Sequence, residues 1–168
     1  FKLLRGYLTR IFMITIERLK HAHIERVKSI QLADEQVKFA GTAEEFLLDT
    51  SDTIHLHVIK FDYDVIGFFK LDTAYSSNYD FCPDGCIGLR AFALDKNQQG
   101  KGLGTQSVKA LLLYLKANYD VYHSIYLTVN IKNPGANACY KKGGFECMND
   151  TYLGGNAGPQ HIMRGKII

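Results

Sequence analysis

Gln99-Gly100-Lys101-Gly102-Leu103-Gly104 lies between an apolar run over 87–94 and a segment of helical apolar spacing over 103–115. Glycines at alternate positions remove side chains where a backbone must come close to something, and their N–H groups then open a helix. The first N–H groups of a helix lack intrahelical partners, and the macrodipole adds partial positive charge there. Such a turn is a ready anion site, and a pyrophosphate suits it, with Lys101 supplementing the amides. Two familiar phosphate loops do not fit. A Walker loop requires Lys-Ser/Thr after its last glycine, whereas Lys101 is followed by Gly102. A dinucleotide-binding G-x-G-x-x-G would need its third glycine where Thr105 stands. The pattern that does fit is Q/R-x-x-G-x-G/A, filled by Gln99, Gly102 and Gly104.

A second element follows a strand-like run over 124–129. It reads Asn130-Ile-Lys-Asn133-Pro134-Gly-Ala136-Asn137-Ala-Cys139-Tyr140-Lys-Lys-Gly143-Gly144-Phe145. Asn133 before Pro134 supplies a cap and a first-turn proline, and Gly143-Gly144 suits the end of the same short helix. In this order the two elements resemble the GNAT N-acetyltransferase superfamily: an acetyl-CoA pyrophosphate loop, then N-x-x-A-x-x-x-Y-x-x-x-G-F.

The resemblance implies an α/β (α+β) fold with a mixed, mostly antiparallel sheet, helices on both faces and a splayed central strand pair. In that family a bulge in the fourth strand opens it from the fifth, and the pantetheine arm lies in the gap. Carried onto this sequence, the main chain of Phe92, Ala93 and Leu94 would bind the arm. Gln99, Gly100, Lys101, Gly102, Leu103, Gly104 and Thr105 would hold the pyrophosphate, with Asn133 and Ala136 beside the pantetheine. Tyr140 matches the tyrosine that protonates the departing thiolate. A phenol with a pKa of about 10 is protonated at neutral pH and can donate at once. Asn133 could equally serve only as a helix cap.

One position departs from the family pattern. Some members carry a glutamate eleven residues before the loop glutamine, where this chain has Gly88. No carboxylate can act from there. Asp72, Asp84 and Glu146 are alternatives without geometric support, and no base is named. The missing glutamate leaves open a non-catalytic acyl-CoA-binding or sensor domain. Retention of Tyr140 favours an enzyme, and the glycine spacing disfavours a nucleotide-binding module.

The acceptor is less defined. The stretch 72–84 combines Asp72, Asp80 and Asp84 with Tyr75, Tyr79 and Phe81 and no positive charge. Such a wall would attract a cation by Coulomb and cation–π forces, and a polyamine is one expectation. Arg90 would project near the site, available to an anionic part of the acceptor or to a salt bridge. The loop over 154–161, ending in His161, is a second candidate wall. Cys139 lacks a histidine partner, so direct transfer is expected rather than an acyl-enzyme.

Length and composition agree with one domain. The 168 residues are 46% hydrophobic, enough for a single core over 13–168. Residues 1–12 read as an extension ahead of Met13-Ile14-Thr15-Ile16. A net charge of +3 gives no dedicated nucleic-acid surface. No apolar run reaches membrane-span length. Cys82, Cys86, Cys139 and Cys147 lack C-x-x-C spacing and read as free thiols of a cytoplasmic protein. His21/His23 and His55/His57 read as ordinary strand histidines, and no metal is expected. A homodimer is expected on family grounds only.

The remaining pattern alternates. Strands are predicted over 14–19, 54–61, 65–71 and 87–94, with Tyr63-Asp64 as the hairpin turn. Ile24, Val27 and Ile30 have helical spacing, and Thr42-Ala-Glu-Glu45 is a capping box for a helix through Leu48. Leu103, Ser107, Val108, Leu111, Leu112 and Leu115 form one helix face. A closing strand pair is expected over 145–148 and 161–168, separated by a flexible loop over 153–159.

Overall fold

A computed structural model describes residues 13–167. The expected extension over 1–12 lies outside the described residues. Among the described residues seven strands form one sheet: β1 (Ile14–Arg18), β2 (Ile54–Phe61), β3 (Asp64–Asp72), β4 (Ile87–Leu94), β5 (Ser124–Asn130), β6 (Glu146–Tyr152) and β7 (Gln160–Lys166). Their order is β1-β2-β3-β4-β5-β7-β6, antiparallel throughout except for the β4–β5 pair. The mixed, mostly antiparallel sheet expected from the resemblance is present.

Alternation along β3 explains the two layers. Ile66, Phe69 and Leu71 join one buried cluster, while Val65 and Phe68 join another. Against the first packs α5 (Leu103–Asn118), through Leu103, Val108, Leu111 and Leu115. The second is covered by α1 (Ile24–Lys28) and α3 (Ala43–Leu48), whose Val27 and Phe46 are buried; Phe46 stacks on Phe68 with centroids 4.4 Å apart. Full burial of a leucine such as Leu111 is worth about 1.5–3 kcal/mol, so these faces anchor the helices. The Thr42 capping box holds in part, its hydroxyl accepting from the Glu45 N–H at 3.1 Å.

Two short helices depart from the sequence expectation. α2 (Asp34–Ala40) has no fully buried residue, so its apolar pattern is too faint to read. α4 (Tyr75–Asn78) occupies part of the stretch read as an acidic loop. The β2–β3 turn falls at Asp62-Tyr63, whose φ angles of 48° and 73° are left-handed, and Asp64 already belongs to β3. Such a pair matches the twist of a hairpin without the usual glycine.

The feature that positions the site is a bulge in β4. Phe68 is opposite Ala93 and Lys70 opposite Arg90, so Phe69 alone faces Ala91 and Phe92. Ala91 takes a φ of 53°, a left-handed geometry unusual for a residue with a side chain. β4 pairs with β5 only at Ile87–Ile125 and Gly88–Tyr126, and beyond that point the strands part. This is the splayed central pair.

Candidate active site

The parting of β4 and β5 opens a cleft of about 900 Å³. Leu89, Arg90, Ala91 and Phe92 form one lip, and Leu127, Thr128 and Val129 the other. α6 (Pro134–Gly143) and α2 supply two further walls, and Gly154 to Ala157 of the β6–β7 loop a third.

At one end of the cleft sits the glycine loop. Gly100 and Gly102 have φ angles of 77° and 75°, with open space where a side chain would be. Gly102 is the residue before α5, and no side chain caps that helix. The amides of Leu103, Gly104 and Thr105 are therefore bare, as an anion site requires. Gly104 has a different reason: an added Cβ would stand 3.0 Å from Cys139 Sγ. Gln99 donates to Gln36 Oε1 of α2 at 2.6 Å, and both glutamines line the cleft. Of the loop, Gln99, Gly100 and Gly104 line the cleft; Lys101 and Gly102 are exposed beside it, Leu103 is buried in the core and Thr105 is half-buried.

α6 brings Asn133, Ala136, Cys139 and Tyr140 to the cleft. Asn133 Oδ1 accepts from the Ala136 N–H at 3.3 Å, so it caps the helix while facing the cleft. Tyr140 is half-buried, with its ring against Phe92 and Phe145 at 5.8 and 5.6 Å between centroids. Burial pushes its phenol above the ordinary value. Burial likewise raises the Cys139 thiol and favours its protonated form, against a smaller lowering by the Thr105 hydroxyl. Phe92 and Leu94 line the cleft, whereas Ala93 faces the opposite core.

The acceptor candidates are distributed differently from the expected acidic wall. Asp72 is buried, its Oδ2 3.2 Å from Arg90 Nε and its Oδ1 accepting from the Ala74 N–H at 2.9 Å. Asp80 and Asp84 are exposed and do not line the cleft. Tyr75 and Arg90 do, and Arg90 Nη2 donates to the Tyr79 hydroxyl at 2.5 Å. Burial raises the Tyr75 phenol. Glu146 pairs with Arg164 across the β6–β7 ladder. His161 opens onto a separate recess of about 300 Å³ with Asn137 and Lys141.

With this geometry in place, the known proteins it resembles are informative. Residues 13–145 match the acetyltransferase (GNAT) family. The chain belongs to that family. A curated relative of this acetyltransferase, the probable spermine N(1)-acetyltransferase of Bacillus subtilis subsp. natto, is 26% identical over 137 residues, covering 79% of this chain and 88% of that protein. The structure of AAC(6')-Ib with ribostamycin and coenzyme A superposes with a TM-score of 0.76 at 22% identity, covering 92% of this chain and 93% of the other. Spermidine N-acetyltransferase from Vibrio cholerae, with CoA and spermine, gives a TM-score of 0.67 at 16% identity, covering 90% and 94%. The expected acetyl-CoA co-substrate accords with these structures.

Three features of the acetyltransferase's cleft escaped the sequence reading. Lys70 lines it from β3, as the cross-strand partner of Arg90. Asn130 Nδ2 donates to the Ala157 carbonyl at 2.8 Å, and the Ile131 N–H to the Pro159 carbonyl at 3.2 Å. These bonds tie the β6–β7 loop to the end of β5. The third is α2, which holds the glutamine of the loop. An asparagine ending a strand was the available signal for the tether; nothing local signalled the other two. Among the described residues no cluster of metal-ligating side chains occurs, and no helix is long and apolar enough to cross a membrane.

Proposed function

We propose that this acetyltransferase moves the acetyl group of acetyl-CoA directly to a primary amine of a small molecule or peptide. One observation carries the reading: a single cleft joins the uncapped amides of α5, the opening between β4 and β5, and Tyr140. The residues fit the co-substrate on their own chemistry, since bare amides suit a diphosphate and a strand gap suits an extended amide-bearing arm. When bound, acetyl-CoA supplies an activated acyl group as a thioester. Residues 99–105 would hold the diphosphate, and the main chain of 92–94, with Asn133 and Ala136, the pantetheine.

Tyr140 stays protonated at neutral pH because burial disfavours the phenolate. It therefore offers its hydrogen to the sulfur as the thiol leaves. Cys139, held as a thiol, is unsuited to carry the acetyl group itself. Glu35 of α2, which is exposed, is the one carboxylate lining the cleft among the described residues, and no histidine lines it. The reading is therefore capture of the amine in its neutral form, with kcat/KM rising as the amine loses its proton.

A polyamine is the narrower acceptor that the name of the Bacillus relative supports. The carboxylates that would receive it lie elsewhere, Asp72 being paired with Arg90 and Asp80 and Asp84 outside the cleft lining. The four cysteines are free, in keeping with a cytoplasmic enzyme. A homodimer completes the proposal, and light scattering checks it.

The function is tested with acetyl-CoA and a panel of primary amines, following thiol release and identifying products by mass spectrometry. Amine-dependent release supports the reading. Tight coenzyme A binding without release from any amine points instead to an acyl-CoA-binding domain.

A further inference from the structure

Lys70 on β3 and Arg90 on β4 stand directly opposite one another, and both line the cleft. Like charges in such a pair destabilise an antiparallel sheet relative to neutral partners. Each cation is offset from behind: Lys70 Nζ lies 2.9 Å from Asp49 Oδ2, and Arg90 Nε 3.2 Å from Asp72 Oδ2. Neither carboxylate belongs to the cleft lining. Asp72's side chain is 3% exposed against 40% for Arg90, whereas Asp49 is 25% exposed against 17% for Lys70. An entering molecule therefore meets the Arg90 guanidinium rather than its buried partner, while Lys70 lines the cleft with its own partner outside the lining. Among lining residues, Lys38, Lys70 and Arg90 stand against Glu35 alone.

The guanidinium is also held in place. Its Cζ lies 5.7 Å from the Tyr75 ring centroid and 5.4 Å from that of Tyr79, whose hydroxyl accepts from Nη2. Asp72 takes Nε, so among the described residues Nη1 is left without a hydrogen-bond partner. A fixed guanidinium with a free N–H edge, beside an ammonium, is the geometry that receives a carboxylate.

We propose that Arg90 and Lys70 bind an anionic group of the acceptor, so that the acceptor is a primary amine carrying a carboxylate. The acceptor role rests on the transferase reading above; the anion site does not. Aromatic rings beside the cations, Tyr75, Tyr79 and Tyr152, give the body of the molecule an apolar wall. A polycation would meet Arg90 and Lys70 at close range and be repelled, so this acceptor class and the polyamine suggested by the name of the Bacillus relative are exclusive, and the diamine series decides between them.

The test uses three matched series of two to six carbons: ω-amino acids, n-alkylamines and terminal diamines. Binding to the full chain, with and without coenzyme A, is measured by calorimetry, and turnover by thiol release. The expected result is an ω-amino acid that binds at least about tenfold more tightly than its alkylamine and diamine counterparts, the factor a hydrogen bond to a charged group supplies. The double variant Asp72→Asn/Arg90→Gln keeps the pair's shape without stranding a buried carboxylate. It should remove the preference, while Arg90→Lys retains part of it. Diamines that bind as well as amino acids, or a preference that survives the double variant, would overturn the proposal. Turnover with no carboxylate preference refutes this inference and leaves the transferase reading. Arg90-dependent carboxylate binding with no turnover from any amine does the reverse.

Discussion

The ring of Tyr75 fills the space that any side chain at Gly88 would require. Gly88 stands where some GNAT members carry a glutamate, so a different side chain now occupies that volume. Gly88→Ala should overpack the contact and cost about 1–3 kcal/mol, lowering Tm by roughly 2–12 °C. In a Tyr75→Ala background the same change should cost little. Urea unfolding of the four proteins gives the coupling; an additive result would mean the two positions do not meet.

Tyr140→Phe should lower kcat by about a hundredfold or more while affecting KM for acetyl-CoA much less. Because burial raises the phenol, the parent enzyme should show no loss of activity from Tyr140 deprotonation up to about pH 10, its ordinary value. A matching fall in kcat/KM with unchanged kcat would assign Tyr140 to binding alone.

At Gly102 the left-handed φ of 75° with empty space around it makes the cost of alanine conformational. Gly102→Ala should cost about 1–2 kcal/mol. If the fold bears the strain, Tm falls. If the loop relaxes instead, coenzyme A binding should weaken by about five- to thirtyfold. Gly104→Ala should act differently, through Cys139 Sγ, and Cys139→Ala should relieve it.

His57 of β2 is fully buried, bonded to the Tyr114 hydroxyl at 2.9 Å and stacked on Phe69 of β3. Burial pushes its imidazole down from 6.5 to about 4. The unfolded chain therefore takes up the proton first. Stability from neutral His57 is complete above about pH 6.5 and is lost as pH falls toward 4, by about 3 kcal/mol in all. His57→Gln should flatten that part of the stability–pH curve in urea titrations. An unchanged slope would mean that other groups carry it.

The parts of the chain that sequence made readable are those with local grammar. The left-handed glycines, the Asn133-Pro134 cap and the apolar run of β4 each act within a few residues, and β4 spans Ile87–Leu94 as read. What stayed hidden depends on partners far along the chain. Asp72 looked like a free carboxylate until β4 placed Arg90 beside it, and Lys70 drew no notice until the bulge set its register. α2 presents no fully buried residue and so leaves little apolar period. The tether from Asn130 to Ala157 joins a strand end to a loop in a way that no spacing rule encodes.

Where β4 and β5 separate, two strands in the middle of the sheet expose main-chain groups that other interior strands spend on each other. The empty protein is in that sense a sheet with a missing strand, and whatever fills the seam also acts as a folding ligand. At a hundred times its dissociation constant, coenzyme A should add about 2.7 kcal/mol, or roughly 5–11 °C in Tm. Cells depleted of the co-substrate would then hold a less durable form of this enzyme, more open to proteases, and its abundance would track its supply of acyl donor.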